Sequence, residues 1–227
     1  ANDNEEKKHM KYTEKTCLLN CLGRTLRFCN QKSRDWTHPY EYEHNGSNLS
    51  NAGCGIFALT HAVEWMHGIR LNPDDVAEVS VAVGGRGDDG TDRPVMLDGM
   101  MKNGFAAKCG FRYEGEGLIN DHERLWQHMK AGNTALCNLR VGHIVALLDA
   151  REENGQRQLL AMDSVAESAG EKVRNSVCGV VDGSLISYPI RNSAGLVVGH
   201  GESYALFWVD AALPKDFNLL IKTEPQI

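Results

Sequence analysis

The sequence predicts an α+β fold, because helical and strand patterns occupy different parts of the chain. Before Gly132, apolar residues recur mostly at intervals of three and four, which marks one face of a helix. Beyond Gly132, short apolar runs are separated by turn residues, which is typical of strands. An N-terminal helical half, built around a central helix, followed by a C-terminal antiparallel sheet in one domain is an α+β layout.

Composition is that of an ordinary globular protein and argues against two classes of partner. The 227 residues are 42% apolar and 24% charged, with a formal net charge of -6. The sequence is mildly acidic and has no basic stripe, so we expect no nucleic-acid partner. No apolar run approaches the length of a membrane span, so we expect no membrane partner.

Residues 1–10 are expected to be a tag or a disordered leader outside the fold. The run ANDNEEKKHM is too polar for a signal peptide, and His9-Met10 resembles a cloning junction. The length of the chain fits one domain with elaborated loops, so we expect residues 11–227 to form a single domain.

Seven cysteines are present, and their setting favours reduced thiols. They are Cys17, Cys21, Cys29, Cys54, Cys109, Cys137 and Cys178. Six of them could form disulfides if Cys54 is an unpaired functional cysteine. A domain of this size does not need disulfides, however, and Cys137 and Cys178 lie in apolar runs that suit buried, reduced thiols. Reduced thiols favour a cytoplasmic location over secretion. Cys17 and Cys21 are four residues apart, yet nothing completes a zinc site, so we expect no metal and no cofactor.

The longest helical pattern runs from Cys54 to His67, and the rest of the chain is organised around it. Apolar residues recur along one face of this run, and Gly68 supplies a natural stop. A polar, turn-rich segment precedes the run. Cys54 is therefore predicted to lie where the helix begins.

Further helices and loops are predicted on both sides of this helix. An amphipathic helix is expected within Lys11 to Asn30, and an ordered loop from Gln31 to Ser47. The remaining predictions are a helix from Pro73 to about Val83 capped by Asn72, a loop from Gly84 to Pro94, a helix from about Pro94 to Lys102, and a helix from about Asp121 to Ala131 capped by Asn120.

The second half is predicted to contain strands, two of them joined by a tight hairpin. Glu152 to Gln156, around Gly155, has the composition of a hairpin connection. The strands are expected over Thr134–Arg140, His143–Ala150, Arg157–Ser164, Ser184–Ile190 and Tyr204–Asp210.

Cys54 is a candidate nucleophile because of its position at a helix start. Unpaired backbone N–H groups and the positive end of the helix dipole both favour thiolate over thiol. The alternative is an ordinary buried cysteine, since free cysteines are among the most buried residues.

A base and an orienting acid are available at one edge of the predicted sheet. His143 begins one strand and Asp163 ends the next, and the hairpin between them makes the two strands neighbours. A cysteine nucleophile needs such a base and a third group that orients it. The alternatives are a structural histidine and a turn-forming acid. His200 is the rival base, but it lacks an acid on a neighbouring strand.

Four stretches resemble bacterial papain-like cysteine peptidases of the bacteriocin-leader-peptidase type. They are QKSRDWTHPY, GSNLSNAGCGIFALTHAVEWMHG, GHIVALL and LLAMDS, and the resemblance covers roughly Gln31 to Asp210. Its most specific parts are the glycine-flanked cysteine and the glycine-histidine strand. The resemblance implies a single papain-like catalytic domain over residues 11–227 and a peptide or protein substrate.

By the same resemblance, Cys54 is the nucleophile, His143 the base and Asp163 the orienting acid. The family also places a polar side chain, often Gln, six positions before the cysteine to help hold the oxyanion, and this position is Asn48 here. Asn can donate the same hydrogen bond from a shorter arm. A second departure is Ile56, where relatives commonly have Pro.

Three functions fit these residues. The leading hypothesis is a free-standing cysteine peptidase or amidohydrolase that cleaves a peptide or amide bond through a thioester. An acyltransferase would use the same Cys-His-Asp triad with water excluded. A catalytically inactive papain-like binding module is the third.

Overall fold

The computed structural model describes residues 15–115, 120–140, 142–165, 188–191, 197–201 and 206–226. The leader expected over residues 1–10 lies outside these ranges. The described helices are α1 (Leu49–Ala52), α2 (Cys54–His67), α3 (Pro73–Ala82), α4 (Arg93–Lys102), α5 (Phe105–Cys109) and α6 (His122–Lys130). The described strands are β1 (Thr16–Cys21), β2 (Arg24–Cys29), β3 (Arg86–Gly87), β4 (Gly90–Thr91), β5 (Phe111–Glu114), β6 (Thr134–Arg140), β7 (His143–Glu153), β8 (Gln156–Met162), β9 (Tyr188–Arg191), β10 (Val197–Gly201), β11 (Leu206–Asp210) and β12 (Asp216–Lys222).

An antiparallel sheet forms the centre of the described fold. Its eight strands lie in the order β5-β12-β6-β7-β8-β11-β10-β9. In the middle, β6, β7 and β8 follow one another, and β7 turns into β8 at Asn154 and Gly155, both of which have positive φ. Positive φ at both central residues is what a tight two-residue hairpin requires. The predicted α+β class is confirmed.

Helices cover both faces of the sheet, and apolar residues of the sheet pack against them on each face. Along β7, Ile144, Ala146 and Leu148 belong to the core that includes α2. Val145 and Leu147 belong to a second core, which includes α6. A strand that is covered on both faces carries apolar residues at successive positions instead of alternating ones. This arrangement explains the unbroken apolar run at the start of β7.

Most of the predicted helices lie where the sequence places them. The bounds of α2 match the prediction, and it ends at Gly68, whose φ of 70° lies in the left-handed region that glycine favours. Asn72 caps α3 and Pro73 is its first residue, as predicted. The cap of α6 is Asp121, so the prediction of Asn120 as the cap was one residue too early.

The amphipathic helix predicted within Lys11 to Asn30 is wrong where the structure describes that segment. β1 and β2 form an antiparallel hairpin there, joined by Leu22 and Gly23 with φ of 51° and 73°. These angles belong to a turn that matches the twist of paired strands. Leu26 and Phe28 are both buried, two residues apart on β2, so the strand period of two decides the structure.

Several strands have no counterpart in the sequence-based prediction. β12 lies near the end of the described chain, yet it pairs with β5 on one side and with β6 on the other. β10 joins β9 to β11, and β3 pairs with β4 inside the segment predicted to be a loop. β9 and β11 are the described parts of two predicted strands, of which residues 184–187 and 204–205 lie outside the described residues.

Glu64 attaches the β1–β2 hairpin to the central helix. Its Oε2 accepts the backbone N–H of Arg27 at 2.6 Å, and its Oε1 lies 3.0 Å from Nε of Arg70. Arg24 adds a bond from its Nη2 to the carbonyl oxygen of Trp65 at 2.6 Å. Only 5% of the Glu64 surface is exposed, so this carboxylate is a buried charge that depends on its partners.

Glu64→Ala should lower the free energy of unfolding by about 2–4 kcal/mol, because Arg27 loses both a buried acceptor and a charge partner. Glu153→Ala is the matched control, since Glu153 pairs with Arg151 at 2.8 Å on an exposed position. Such a pair contributes about 0–1 kcal/mol. Urea unfolding of both variants measures the difference, and equal losses would contradict the role given to Glu64.

Candidate active site

Cys54 is the first residue of α2 and is held between two glycines that packing requires. At Gly53, which ends α1 and caps α2, an added Cβ would lie 2.6 Å from the carbonyl oxygen of Leu49. At Gly55, an added Cβ would lie 2.8 Å from Cβ of Thr91. Both distances are too short for a side chain. The Gly-Cys-Gly sequence is therefore explained by the close approach of α1 and β4 to the helix start.

The thiol of Cys54 is partly buried and lies close enough to the ring of His143 for the ring to change its pKa. Burial by itself raises the pKa of Cys54, but the hydrogen bond and the charge of His143 lower it, as do the backbone N–H groups of Ile144 and Gly55. The pKa of Cys54 ends below its ordinary value. More of the group is therefore thiolate, which is the nucleophilic form.

His143 and Asp163 form a buried pair beside this thiol. His143 is the first residue of β7, and Asp163 directly follows β8. His143 Nε2 lies 2.8 Å from Oδ1 of Asp163, whose side chain is fully buried. Burial by itself lowers the pKa of His143, but the charge and hydrogen bond of Asp163, together with Cys54, raise it to about 10. The ring is therefore an imidazolium at neutral pH.

The two ring nitrogens of His143 face different partners. Nε2 donates to Asp163, so of the two ring nitrogens Nδ1 is the one not used by this carboxylate, and Cys54 is the other group that raises the pKa of the ring. Oδ1 of Asp163 also accepts the backbone N–H of Val165 at 2.8 Å, and this bond fixes the carboxylate in a tight turn. A positive ring thus lies between two negative groups. The structure brings together three of the four predicted site residues, and their catalytic roles stay predictions.

Asn48, the fourth predicted residue, caps the short helix α1. Its Oδ1 accepts the backbone N–H of Asn51 at 3.2 Å, and the Asn51 side chain accepts the backbone N–H of Asn48 at 2.8 Å. This reciprocal pair is a capping box. The residue is exposed, and its capping bond uses the side-chain oxygen, so the amide nitrogen is still a donor. Its role in holding an oxyanion stays a prediction.

Tyr40 lies close to the site and was not identified from the sequence. It is fully buried, and its hydroxyl bonds with Thr91 at 2.5 Å and with Ser80 at 3.2 Å. Arg86 donates from Nε to the carbonyl oxygen of Tyr40 at 2.9 Å. Burial raises the pKa of Tyr40, and nearby Cys54 adds to the rise, so the phenol is a neutral neighbour of the thiol.

Gln31 is the second residue near the site that sequence reasoning missed. It is buried, and it forms hydrogen bonds both with Ser164, next to Asp163, and with Ser50, in α1. Gln31 and Tyr40 begin and end the stretch QKSRDWTHPY, which the sequence predicts to be an ordered loop and which is part of the resemblance. A loop has no period that separates inward-facing from outward-facing residues.

Two other histidines are set apart from the thiol by their environment or position. His61 lies on α2, where its Nε2 accepts the backbone N–H of Cys29 at 3.1 Å. Burial, aided by the charge of Arg27, lowers the pKa of His61 to about 3, so this ring is neutral. His200, the rival base, belongs to β10, which is three strands from β7 in the sheet, or roughly 14 Å at about 4.8 Å per strand.

Four of the described cysteines take part in no disulfide, namely Cys29, Cys54, Cys109 and Cys137. Burial raises the pKa of Cys109 to about 11, in contrast to the lowered pKa of Cys54.

Within the described ranges, no three His, Cys, Asp or Glu side chains are grouped so as to hold a metal ion. None of the helices described here is long and apolar enough to cross a membrane.

Comparison with known proteins adds no family to this geometry. A scan of the chain against protein-family models and a search of curated proteins both found no match. The functional interpretation therefore rests on the residues of the site and on the resemblance described above.

Limiting iodoacetamide at about pH 6 should alkylate Cys54 ahead of Cys109, because a lowered pKa keeps thiolate in mild acid while a raised one removes it. The pH midpoint of Cys54 alkylation should lie below the value of about 8.5 for free cysteine. Peptide mass mapping over a pH series measures both quantities.

His143→Ala is the control for the origin of this reactivity. The variant keeps the exposure of Cys54 or increases it, yet it should move the midpoint of alkylation upward, because the thiolate loses its hydrogen bond and its positive neighbour. An unchanged midpoint would mean that the helix start alone accounts for the reactivity.

Proposed function

We propose that the protein is a papain-like cysteine peptidase or amide hydrolase. The observation that carries this proposal is the group formed by Cys54, His143 and Asp163, with a thiol at a helix start, a ring close to it and a buried carboxylate bonded to the ring. The nucleophile lies on a helix that packs against an antiparallel sheet, and two neighbouring strands supply the base and the acid. This layout supports the papain-like assignment.

The first step is acyl transfer to sulfur. The thiolate of Cys54 attacks the substrate carbonyl carbon and forms an S–C bond, and the carbonyl oxygen becomes negative. The backbone N–H of Cys54, at the start of α2, and the amide nitrogen of Asn48 are the proposed donors to this oxyanion. The imidazolium of His143 then gives its proton to the leaving nitrogen as the C–N bond breaks. A thioester and a free amine result.

The second step is hydrolysis of the thioester. His143, now neutral, takes a proton from water, and the water oxygen attacks the carbonyl carbon. The C–S bond breaks, the carboxylic acid product leaves, and the thiolate and imidazolium are restored. Asp163 keeps the ring oriented through both steps and stabilises its positive form.

The charged state of the pair supports catalysis over a catalytically inactive binding module. A buried imidazolium is costly unless a carboxylate compensates it. A module that only binds peptides has no need for this arrangement next to a thiol with a lowered pKa. Nucleophilic chemistry uses both features.

A diverse peptide mixture incubated with the protein in water enriched in oxygen-18 should yield cleaved peptides whose new carboxylates carry the label. Cys54→Ala should abolish cleavage. Turnover should increase with pH through the lowered pKa of Cys54, where thiolate forms, and decrease as the pH passes about 10, where His143 loses its proton. Mass spectrometry of the products measures all three effects.

Two outcomes of this assay would contradict hydrolysis. Amide products without label would identify an amine as the acceptor and make the protein an acyltransferase. Unchanged peptides, together with a Cys54 that is not reactive in mild acid, would leave a binding module as the function.

Asn48→Asp separates the capping role of Asn48 from its proposed role at the oxyanion. Aspartate caps a helix about as well as asparagine, so stability should stay within about 0.5 kcal/mol of the parent. The carboxylate has no N–H to donate, so kcat should fall by about 100-fold. Thermal unfolding and kcat on an identified peptide are the two measurements. Parent-like turnover would mean that other donors hold the oxyanion.

A further inference from the structure

The buried amide of Gln31 connects the two sides of the candidate site. On one side, the hydroxyl of Ser164 donates to Oε1 of Gln31 at 2.8 Å, and the backbone N–H of Gln31 donates to the carbonyl oxygen of Ser164 at 3.0 Å. On the other side, Nε2 of Gln31 donates to the carbonyl oxygen of Ser50 at 3.0 Å. Only 3% of the Gln31 surface is exposed, and the bond to Ser164 is buried. The carbonyl oxygen of Ser50 lies nearer the surface, where it also accepts Nζ of Lys32 at 2.7 Å.

The Ser164 side of this connection carries the acid of the triad. Asp163 Oδ1 accepts from both the ring of His143 and the backbone N–H of Val165. Ser164 lies between Asp163 and Val165 in this turn. The turn is buried throughout. A displacement of Ser164 would therefore move the carboxylate that orients His143.

The Ser50 side of the connection carries the nucleophile. Ser50 belongs to α1, which ends at Gly53, and Gly53 is also the cap of the helix that begins with Cys54. Gly53 is in close contact with Leu49 of the same short helix. A displacement of Ser50 would therefore move the start of α2 and the thiol with it.

We infer that Gln31 is a positioning residue, whose amide fixes the separation between the Asp163 turn and the start of α2 and so keeps His143 against Cys54. The inference rests on the proposed function, because it concerns the same three residues. Gln31 touches none of the reacting groups in this arrangement. Its role is geometric, and small displacements of reacting groups lower rates strongly.

A second buried glutamine offers a matched comparison. Gln158 lies on β8, is 4% exposed, and its Oε1 accepts a bond from Nε of Arg151 at 2.9 Å. Arg151 is its direct neighbour across the β7–β8 hairpin, so this bond joins two strands that the sheet already pairs. Loss of either glutamine removes a buried amide, but only Gln31 bridges the segments that carry the acid and the nucleophile.

The test measures the rate of Cys54 alkylation by iodoacetamide from about pH 5 to 10, with thermal unfolding as the stability control. Gln31→Leu should slow alkylation at pH 6 by about tenfold and move the midpoint toward that of free cysteine, at about 8.5, because the thiolate loses its constant contact with the imidazolium. The limiting rate in alkaline buffer should match the parent. Gln158→Leu should leave the whole pH profile unchanged.

Ser164→Ala provides a second, milder variant that removes one of the bonds to Gln31. It should move the midpoint in the same direction by less, and the double variant should behave like Gln31→Leu, since both changes act through one connection. If Gln31→Leu does not fold, Ser164→Ala decides: a shifted midpoint supports the inference and a parent-like midpoint overturns it.

The outcomes separate this inference from the proposed function. A parent Cys54 that reacts in mild acid, with parent-like profiles in both variants, overturns the role of Gln31 and leaves the proposed function standing. A fall in thermal stability without a change in the profile also overturns it. A parent Cys54 that does not react in mild acid ends the proposed function and this inference together.

Discussion

The buried hydrogen bond between Asp163 and His143 is the interaction on which the site depends. A charged ring removed from water is unstable by several kcal/mol unless an opposite charge and hydrogen bonds compensate it. Asp163 supplies both, and its charge is the largest of the causes that oppose the lowering of the pKa of His143 by burial. A neutral ring would deprive Cys54 of the positive neighbour that lowers its own pKa. The reactivity of the thiol is therefore controlled from the far side of the ring.

The fold supplies this pair with a dry and rigid environment. The sheet is covered by α2 on one face and by α6 on the other, so β7 and β8 are screened from water along their apolar stretches. His143 begins β7 and Asp163 follows β8, so the pairing of these two strands brings the two residues to the same edge of the sheet. Cys54 comes from a different element, α2, so its position relative to His143 depends on contacts outside the sheet, among which are those of Gln31 and Tyr40.

Local signals made part of this molecule predictable from its sequence. Gly68 marks the end of α2, and the turn before β8 makes His143 and Asp163 neighbours, so the central helix and the pairing of base and acid could be anticipated. The β1–β2 hairpin could not be anticipated, because its apolar residues are spaced by four, as on a helix, and the sequence does not mark Leu22 as a turn residue. The pairing of β12 with β5 depends on segments that are far apart in the chain, and the inward direction of Gln31 depends on tertiary contacts.

The placement of β12 has a consequence for the order in which the molecule can assemble. β12 fills the space between β5 and β6, so both of these strands have an open hydrogen-bonding edge until the segment after residue 215 has left the ribosome. Open edges invite pairing with other chains, and contacts between distant segments form slowly. Since β6 supports β7, which carries His143, the surroundings of His143 are complete only after β12 has emerged and paired. The order of translation thus makes the sheet around His143 depend on a segment that is synthesised more than 70 residues later.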